Sequence, residues 1–168
     1  MKEFVGYHGT RLADGMKILA EGRFAPSVKD VEWLGWGVYF FEEDIDQARN
    51  WCTKVRCYAE YCIIRAEIKA EVDRILDFTK HGVWEKFLAI KGRFRNTIMM
   101  RKPQYRTKEI PDGVFVNLLA DKNNIDLIRG VFITPPVEKR YKQGQIAPMQ
   151  IQLCVRNQEC ICSLGQEA

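Results

Sequence analysis

Trp33-Leu34-Gly35-Trp36-Gly37-Val38-Tyr39-Phe40-Phe41 sets two glycines among five aromatics and runs into an acidic turn, Glu42-Glu43-Asp44. A β-branched and aromatic run behind a tight glycine turn predicts a strand. The acidic residues suit the positive end of a helix that continues through Ile45, Ala48, Trp51, Cys52 and Val55.

Upstream, Phe4-Val5-Gly6-Tyr7-His8 predicts a short buried strand broken at Gly9-Thr10. A helix follows, capped by Asp14, apolar at Met16, Ile18 and Leu19, and ended by Gly22. Downstream, Tyr61 to Ala70 and Arg74 to Phe78 predict strands, Val83 to Ile90 a helix, and the basic stretch 91–108 a loop. A helix within Gly113 to Leu127, a strand from Ile128 to Thr134 stopped by Pro135-Pro136, and a final strand from Met149 to Asn157 complete the chain. Strands and helices interleave without a regular βαβ period, and no G-x-G-x-x-G follows a strand. The fold class is therefore α+β, not a Rossmann sheet.

With 168 residues, 46% of them hydrophobic, the chain suits one core, so a single domain over 1–168 is expected. No run of 18 apolar residues offers a membrane span, and the N-terminus lacks the pattern of a secretion signal, which predicts a soluble cytoplasmic protein. Six cysteines without a C-x-x-C pair, and only His8 and His81 as imidazoles, predict reduced thiols and no metal site. A net charge of +4 does not by itself mark a nucleic-acid binder. The charge is nevertheless uneven, because 91–108 carries seven cations and no acidic residue.

Tyr7-His8-Gly9-Thr10 places an imidazole beside a glycine whose bare backbone can approach a ligand closely. Taken with Gly35-x-Gly37-x-Tyr39-Phe40, it resembles the ADP-ribosyltransferases related to poly(ADP-ribose) polymerases and diphtheria toxin. The resemblance implies a split β-sandwich of two small sheets gaping around NAD⁺, with NAD⁺ as co-substrate and no metal. It implies that His8 donates a hydrogen bond to the adenosine ribose and that the Gly9 backbone pairs with the nicotinamide amide. Thr10 assists, Gly37 frames the site, Tyr39 packs on the nicotinamide ring, and Trp51 offers a second face or joins the core. The match is close over 4–62; over 125–157 it rests on strand order and one polar position.

The family's third member is a glutamate on a late strand, and here that strand reads Met149-Gln150-Ile151-Gln152-Leu153-Cys154-Val155-Arg156-Asn157. Alternation puts Gln150, Gln152, Cys154 and Arg156 on one face. Alignment places Gln152 in the glutamate position, with Gln150 as nearest rival and Glu67, Glu138 and Glu159 as weaker ones. Cleaving the nicotinamide bond builds positive charge on the ribose, which a carboxylate stabilises better than an amide dipole. A single transfer, mono-ADP-ribosylation, is thus expected rather than chain elongation, with His8, Tyr39 and Gln152 as the catalytic set.

The acceptor is expected to be a protein or nucleic acid, or water in an NAD⁺ glycohydrolase side reaction. Arg101 and Lys102 of the basic stretch, interleaved with Phe94 and Tyr105, could contact acceptor phosphates. Arg129 and Arg156 are further basic candidates near the strands. A compact domain of this family resembles a bacterial or phage toxin or effector, for which an antitoxin partner is expected. A silent NAD⁺ or ADP-ribose binding module and a small RNA-binding domain using 91–108 are the competing readings.

Overall fold

The computed structural model describes residues 1–133 and 149–167. Its strands are β1 (Lys2–Arg11), β2 (Val38–Glu42), β3 (Tyr61–Ala70), β4 (Ile75–Asp77), β5 (Leu127–Ile133), β6 (Met149–Val155) and β7 (Ile161–Glu167). The helices among the described residues are α1 (Leu12–Glu21), α2 (Ile45–Asn50), which runs into a π-helical turn over Trp51–Val55, α3 (His81–Arg101) and α4 (Asp112–Asn123). The strands form one seven-stranded sheet in the order β4-β5-β6-β2-β1-β3-β7, antiparallel except for the β4–β5 pair. The α+β class stands.

Instead of two separate small sheets, the strands register as one. Within it β1 meets β3 over ten residue pairs but meets β2 over only Gly6–Glu42 and Tyr7–Phe41. β1 also runs on through Gly9-Thr10 to Arg11, because the full ladder with β3 carries the chain past the glycine.

Alternation divides the side chains into two layers. On one face Phe4, Val38, Phe40, Ile64, Ala66, Ile68, Leu153 and Val155 build a core closed by Ile18 of α1 and by Phe24. Gly15 lets α1 settle onto β3, since a Cβ there would lie 2.5 Å from the Cys62 Cβ, and Gly22 ends the helix in the left-handed region at φ 66°. The opposite face carries two separate clusters. One packs α3 and α4 over Ile128 and Cys154, and the other packs Ala48 and Cys52 of α2 and its π turn over Ile63. Tyr7 of β1 and Phe41 of β2 pack with the α2 cluster, while Tyr39 of β2 packs with the other.

The basic stretch is helix, not loop, through Arg101: Phe87, Phe94 and Ile98 recur at helical spacing and dock α3, while the cations face outward. A 3₁₀ turn at Pro103–Arg106 follows. The strand over Met149–Val155 is not the last, for β7 pairs with β3 at the sheet edge. Thr134, Pro135-Pro136 and the rival Glu138 lie outside the described residues. Among the described residues no helix is long and apolar enough to cross a membrane.

Phe87 is 1% exposed at the α3 contact with the sheet. Phe87→Ala should therefore cost about 3–5 kcal/mol in denaturant unfolding. A change under about 1 kcal/mol would mean that α3 is not docked as described.

Candidate active site

The site is built around the place where β1 and β2 stop pairing. The Glu43 N–H donates to the Val5 carbonyl (3.0 Å), so the polar groups of Val5, Tyr7 and Gly9 aim toward β2, and those of the even-numbered residues aim toward β3. Continuing the register beyond Tyr7–Phe41 would set Gly9 against Tyr39, yet no such pair forms. The Tyr39 carbonyl is taken instead by His8 Nδ1 at 2.8 Å. Gly9 is buried, and its N–H and C=O are turned to a side where it has no strand partner among the described residues. Buried peptide groups are almost always paired, so this edge is fitted to a ligand presenting one acceptor and one donor, as a primary amide does. Gly9 must also be glycine for α2 to pack, since a Cβ would fall 2.6 Å from both the Ala48 carbonyl oxygen and Cys52 Sγ.

A carbonyl only accepts, so Nδ1 of His8 carries the proton. Burial pushes the His8 pKa down, against the smaller upward pull of the Tyr39 carbonyl, which keeps the ring neutral and leaves Nε2 as an acceptor. The ring nitrogen left for any partner other than Tyr39 is therefore Nε2. The ring lies edge-on to Phe24 (5.1 Å between centroids) and Phe40 (5.7 Å).

Tyr39 points to the other face. Its hydroxyl donates to the Gly35 carbonyl (2.6 Å) and accepts from the Leu34 N–H (3.1 Å), and burial raises its pKa strongly. A protonated hydroxyl engaged in both directions is a clamp on the glycine turn rather than an acid or base. Gly35 sits at φ 77°, where a Cβ would also run into Asn117 Oδ1. That oxygen accepts from the Trp36 N–H (2.8 Å) and from Arg156 Nη1 (2.7 Å), while Asn117 Nδ2 is buried without a partner among the described residues. Asn117 and Arg156 thus tie the glycine turn to α4 and β6. Sequence reasoning missed Asn117, although a lone amide inside Val114-Phe115-Val116-Asn117-Leu118-Leu119 was the available signal. Arg156 also bonds Asp121.

Gln152 pairs with Phe41 of β2 and with Gly130 of β5, on the same face as Tyr39. Among the described residues nothing hydrogen-bonds its carboxamide. His8, Tyr39 and Gln152 therefore stand on the three adjacent strands β1, β2 and β6, but His8 faces one side of the sheet and the other two face the opposite side. Gln150 shares the Gln152 face and is 6% exposed, two residues further from the seam. Burial pushes the neighbouring Cys154 thiol up to about 12, which keeps it a donor toward the Trp36 and Gly35 carbonyls. Glu67 is held on the surface by Arg65, and Glu159 is exposed in a turn.

The remaining expected residues are more scattered. Thr10 lies on the His8 face beside Gly15, and Gly37 exchanges both backbone hydrogen bonds with Ser27. Gly37 also allows the turn to touch β6, where a Cβ would meet Cys154 Sγ at 2.6 Å. Trp51 is 39% exposed, so it is not core, and the Arg56 guanidinium lies 5.8 Å from its ring centre. Lys102 pairs with Asp30 at 2.6 Å, which also receives the Tyr105 hydroxyl; Arg101 is exposed. Arg129 pairs with Glu42 (2.6 Å) and reaches Asp77. Among the described residues no group of His, Cys, Asp and Glu could hold a metal.

An uncharacterized protein of Methanocaldococcus jannaschii is 29% identical over 183 aligned positions, covering 94% of this chain and 84% of its own. No family model and no solved structure matches the chain.

The lowered pKa of His8 carries a sign. The unfolded chain binds the proton near pH 6.5 while the folded chain does not, so stability is full above that pH and falls as pH drops, by up to ~1.4 kcal/mol per unit, until the folded pKa is reached. His8→Asn, which keeps a donor for the Tyr39 carbonyl, should flatten that component in unfolding curves between about pH 5 and 7; an unchanged slope would place the titration elsewhere. Tyr39→Phe should cost about 1–3 kcal/mol by stranding the Gly35 carbonyl and Leu34 N–H. Equal stability of the two proteins would rule the clamp out.

Proposed function

We propose that this chain is an NAD⁺-dependent mono-ADP-ribosyltransferase with an ADP-ribosyltransferase-like fold that gapes at the β1–β2 seam. The observation that carries the reading is the unpaired Gly9 edge beside the His8–Tyr39 hydrogen bond. The Gly9 N–H would donate to the nicotinamide amide oxygen and its carbonyl would accept from the amide nitrogen, while His8 Nε2 accepts from a ribose hydroxyl. Tyr39 and Asn117 act indirectly, by fixing the glycine turn that borders the seam. Gln152 would hold a hydroxyl of the second ribose and orient the sugar. Cleavage breaks the bond between ribose C1′ and the nicotinamide nitrogen, and the electron pair leaves with nicotinamide. The acceptor's lone pair forms the new bond to C1′ and its proton passes to water.

A silent NAD⁺ binder is the second reading, favoured by the uncharged Gln152. The test is nicotinamide release from NAD⁺ by wild type, His8→Asn and Gln152→Glu. Release should fall about tenfold in His8→Asn, the worth of one hydrogen bond, and should rise in Gln152→Glu. NAD⁺ binding without release from any of the three would leave only the binder. Absence of binding would discard both readings.

A further inference from the structure

The π-helical turn that follows α2 holds an arginine in an unusual place. The Arg56 N–H closes the turn on the Trp51 carbonyl at 2.8 Å, Cys57 then takes a left-handed φ of 51°, and the Tyr58 N–H returns to the Cys52 carbonyl at 3.0 Å. A left-handed conformation is costly for a residue with a Cβ, and a π turn is a rare departure within a helix. Their joint effect is to fold Arg56 back against two rings. Its guanidinium lies 5.8 Å from the centre of Trp51 and 5.6 Å from that of Tyr58, and its Nε donates to the Tyr58 hydroxyl at 3.1 Å. From the end of β1, the Arg11 guanidinium lies 5.4 Å from the centre of the same Tyr58 ring. Two guanidinium groups thus share one phenol.

Both arginines are exposed, and neither has an acidic partner among the described residues. Between Trp51 and Tyr61 the single acidic residue is Glu60, against Lys54 and Arg56. Stacking occupies the flat face of a guanidinium and leaves its in-plane N–H donors to solvent. Two such cations on one ring repel each other, and an anion that spans both removes the repulsion. Tyr58 adds a further donor, because its oxygen accepts from Arg56 and its own proton is left over. Planar forks of this kind fit phosphate oxygens bidentately, so two of them suit two adjoining phosphates.

The pair adjoins the free edge of Gly9. Arg11 stands two residues beyond Gly9 on β1, about 7 Å along the strand. Cys52 of the π turn touches Gly9, where a Cβ would lie 2.6 Å from its Sγ. Both arginines therefore flank the end at which the β1–β2 seam opens. That closeness selects the occupant. A ligand with an amide at Gly9 and an anion at Arg11 must carry the two groups a short way apart, and in NAD⁺ one ribose joins nicotinamide to the first of two adjoining phosphates. An acidic peptide meets the forks with single carboxylates, and a nucleic acid with phosphates a nucleoside apart, so neither brings two adjoining charges to two guanidiniums on one ring. We propose that Arg11 and Arg56 form a diphosphate-binding fork and that it holds the diphosphate of NAD⁺ while Gly9 holds the carboxamide. Diphosphate binding stands on the arginine pair; its assignment to NAD⁺ rests on the transferase reading. The fork takes part in no bond change and sets the preference for the dinucleotide over nicotinamide riboside.

The test titrates the full chain in a calorimeter with inorganic pyrophosphate, NAD⁺ and nicotinamide riboside, which lacks both phosphates, using wild type, Arg11→Gln and Arg56→Gln. Each variant should weaken pyrophosphate and NAD⁺ by about tenfold or more, the loss expected for a charge-assisted hydrogen bond, and leave nicotinamide riboside unchanged. Equal weakening of all three ligands would mark a merely structural role and overturn the proposal. So would wild-type affinity for pyrophosphate and NAD⁺ in both variants, and nicotinamide release in the same samples would then leave the transferase reading standing. Pyrophosphate binding that both variants lose, with no NAD⁺ binding by any of the proteins, keeps the fork, removes NAD⁺ as its ligand and discards the transferase reading. An oligoglutamate peptide that binds as tightly as pyrophosphate and depends equally on both arginines overturns the diphosphate assignment in favour of an acidic protein partner.

Discussion

The hydrogen bond from His8 Nδ1 to the Tyr39 carbonyl organises the centre of this molecule. A carbonyl that ordinary antiparallel pairing would give to the Gly9 N–H is handed to an imidazole, and the ladder between β1 and β2 ends three residues earlier than its register and the two strands allow. The consequence spreads outward along β2. With its carbonyl fixed on one side, Tyr39 directs its hydroxyl into the glycine turn, whose Trp36 N–H is held by Asn117 of α4, which in turn receives Arg156 of β6. A continuous polar chain thus links β1, β2, α4 and β6 through an otherwise apolar interior. Such a network is costly when incomplete. Asn117 Nδ2, without a partner among the described residues, is what two donors on Oδ1 leave behind.

Local signals in the sequence read well where they decide the structure. β3 is found over Tyr61–Ala70 as expected, because a long run of β-branched and apolar residues needs no distant help, and α1 ends at Gly22 because that glycine takes the left-handed conformation without strain. The helical part of 91–108, which ends at Arg101, is hard to read because its cations obscure a Phe87, Phe94, Ile98 stripe that only the sheet beneath it makes meaningful. β7 carries too little apolar character to announce itself and exists because β3 has an open edge. The motif residues were legible as residue types. Their geometry was not, since the proton position on His8 is set by a carbonyl 31 residues away and the separation of His8 from Tyr39 follows from strand parity.

The chemistry available to Gln152 is constrained by where the nearby carboxylates went. Glu42 follows Phe41, the cross-strand partner of Gln152, yet alternation turns it to the opposite face and Arg129 binds it there at 2.6 Å. Asp77 joins the same cluster; burial alone would raise its pKa, but Thr79 and Arg129 outweigh that and hold the carboxyl ionised. Releasing either acid would break a largely buried ion pair, an expensive step. Positive charge developing above Gln152 would therefore meet dipoles rather than a full negative charge. On the transferase reading, cleavage relies on a leaving group that departs neutral and on a sugar held in place at Gly9, His8 and Gln152. A site with this balance gains more from positioning a strong acceptor than from activating a weak one. That ordering of effects favours one transfer to a bound macromolecule over the repeated activation of a sugar hydroxyl that chain growth demands.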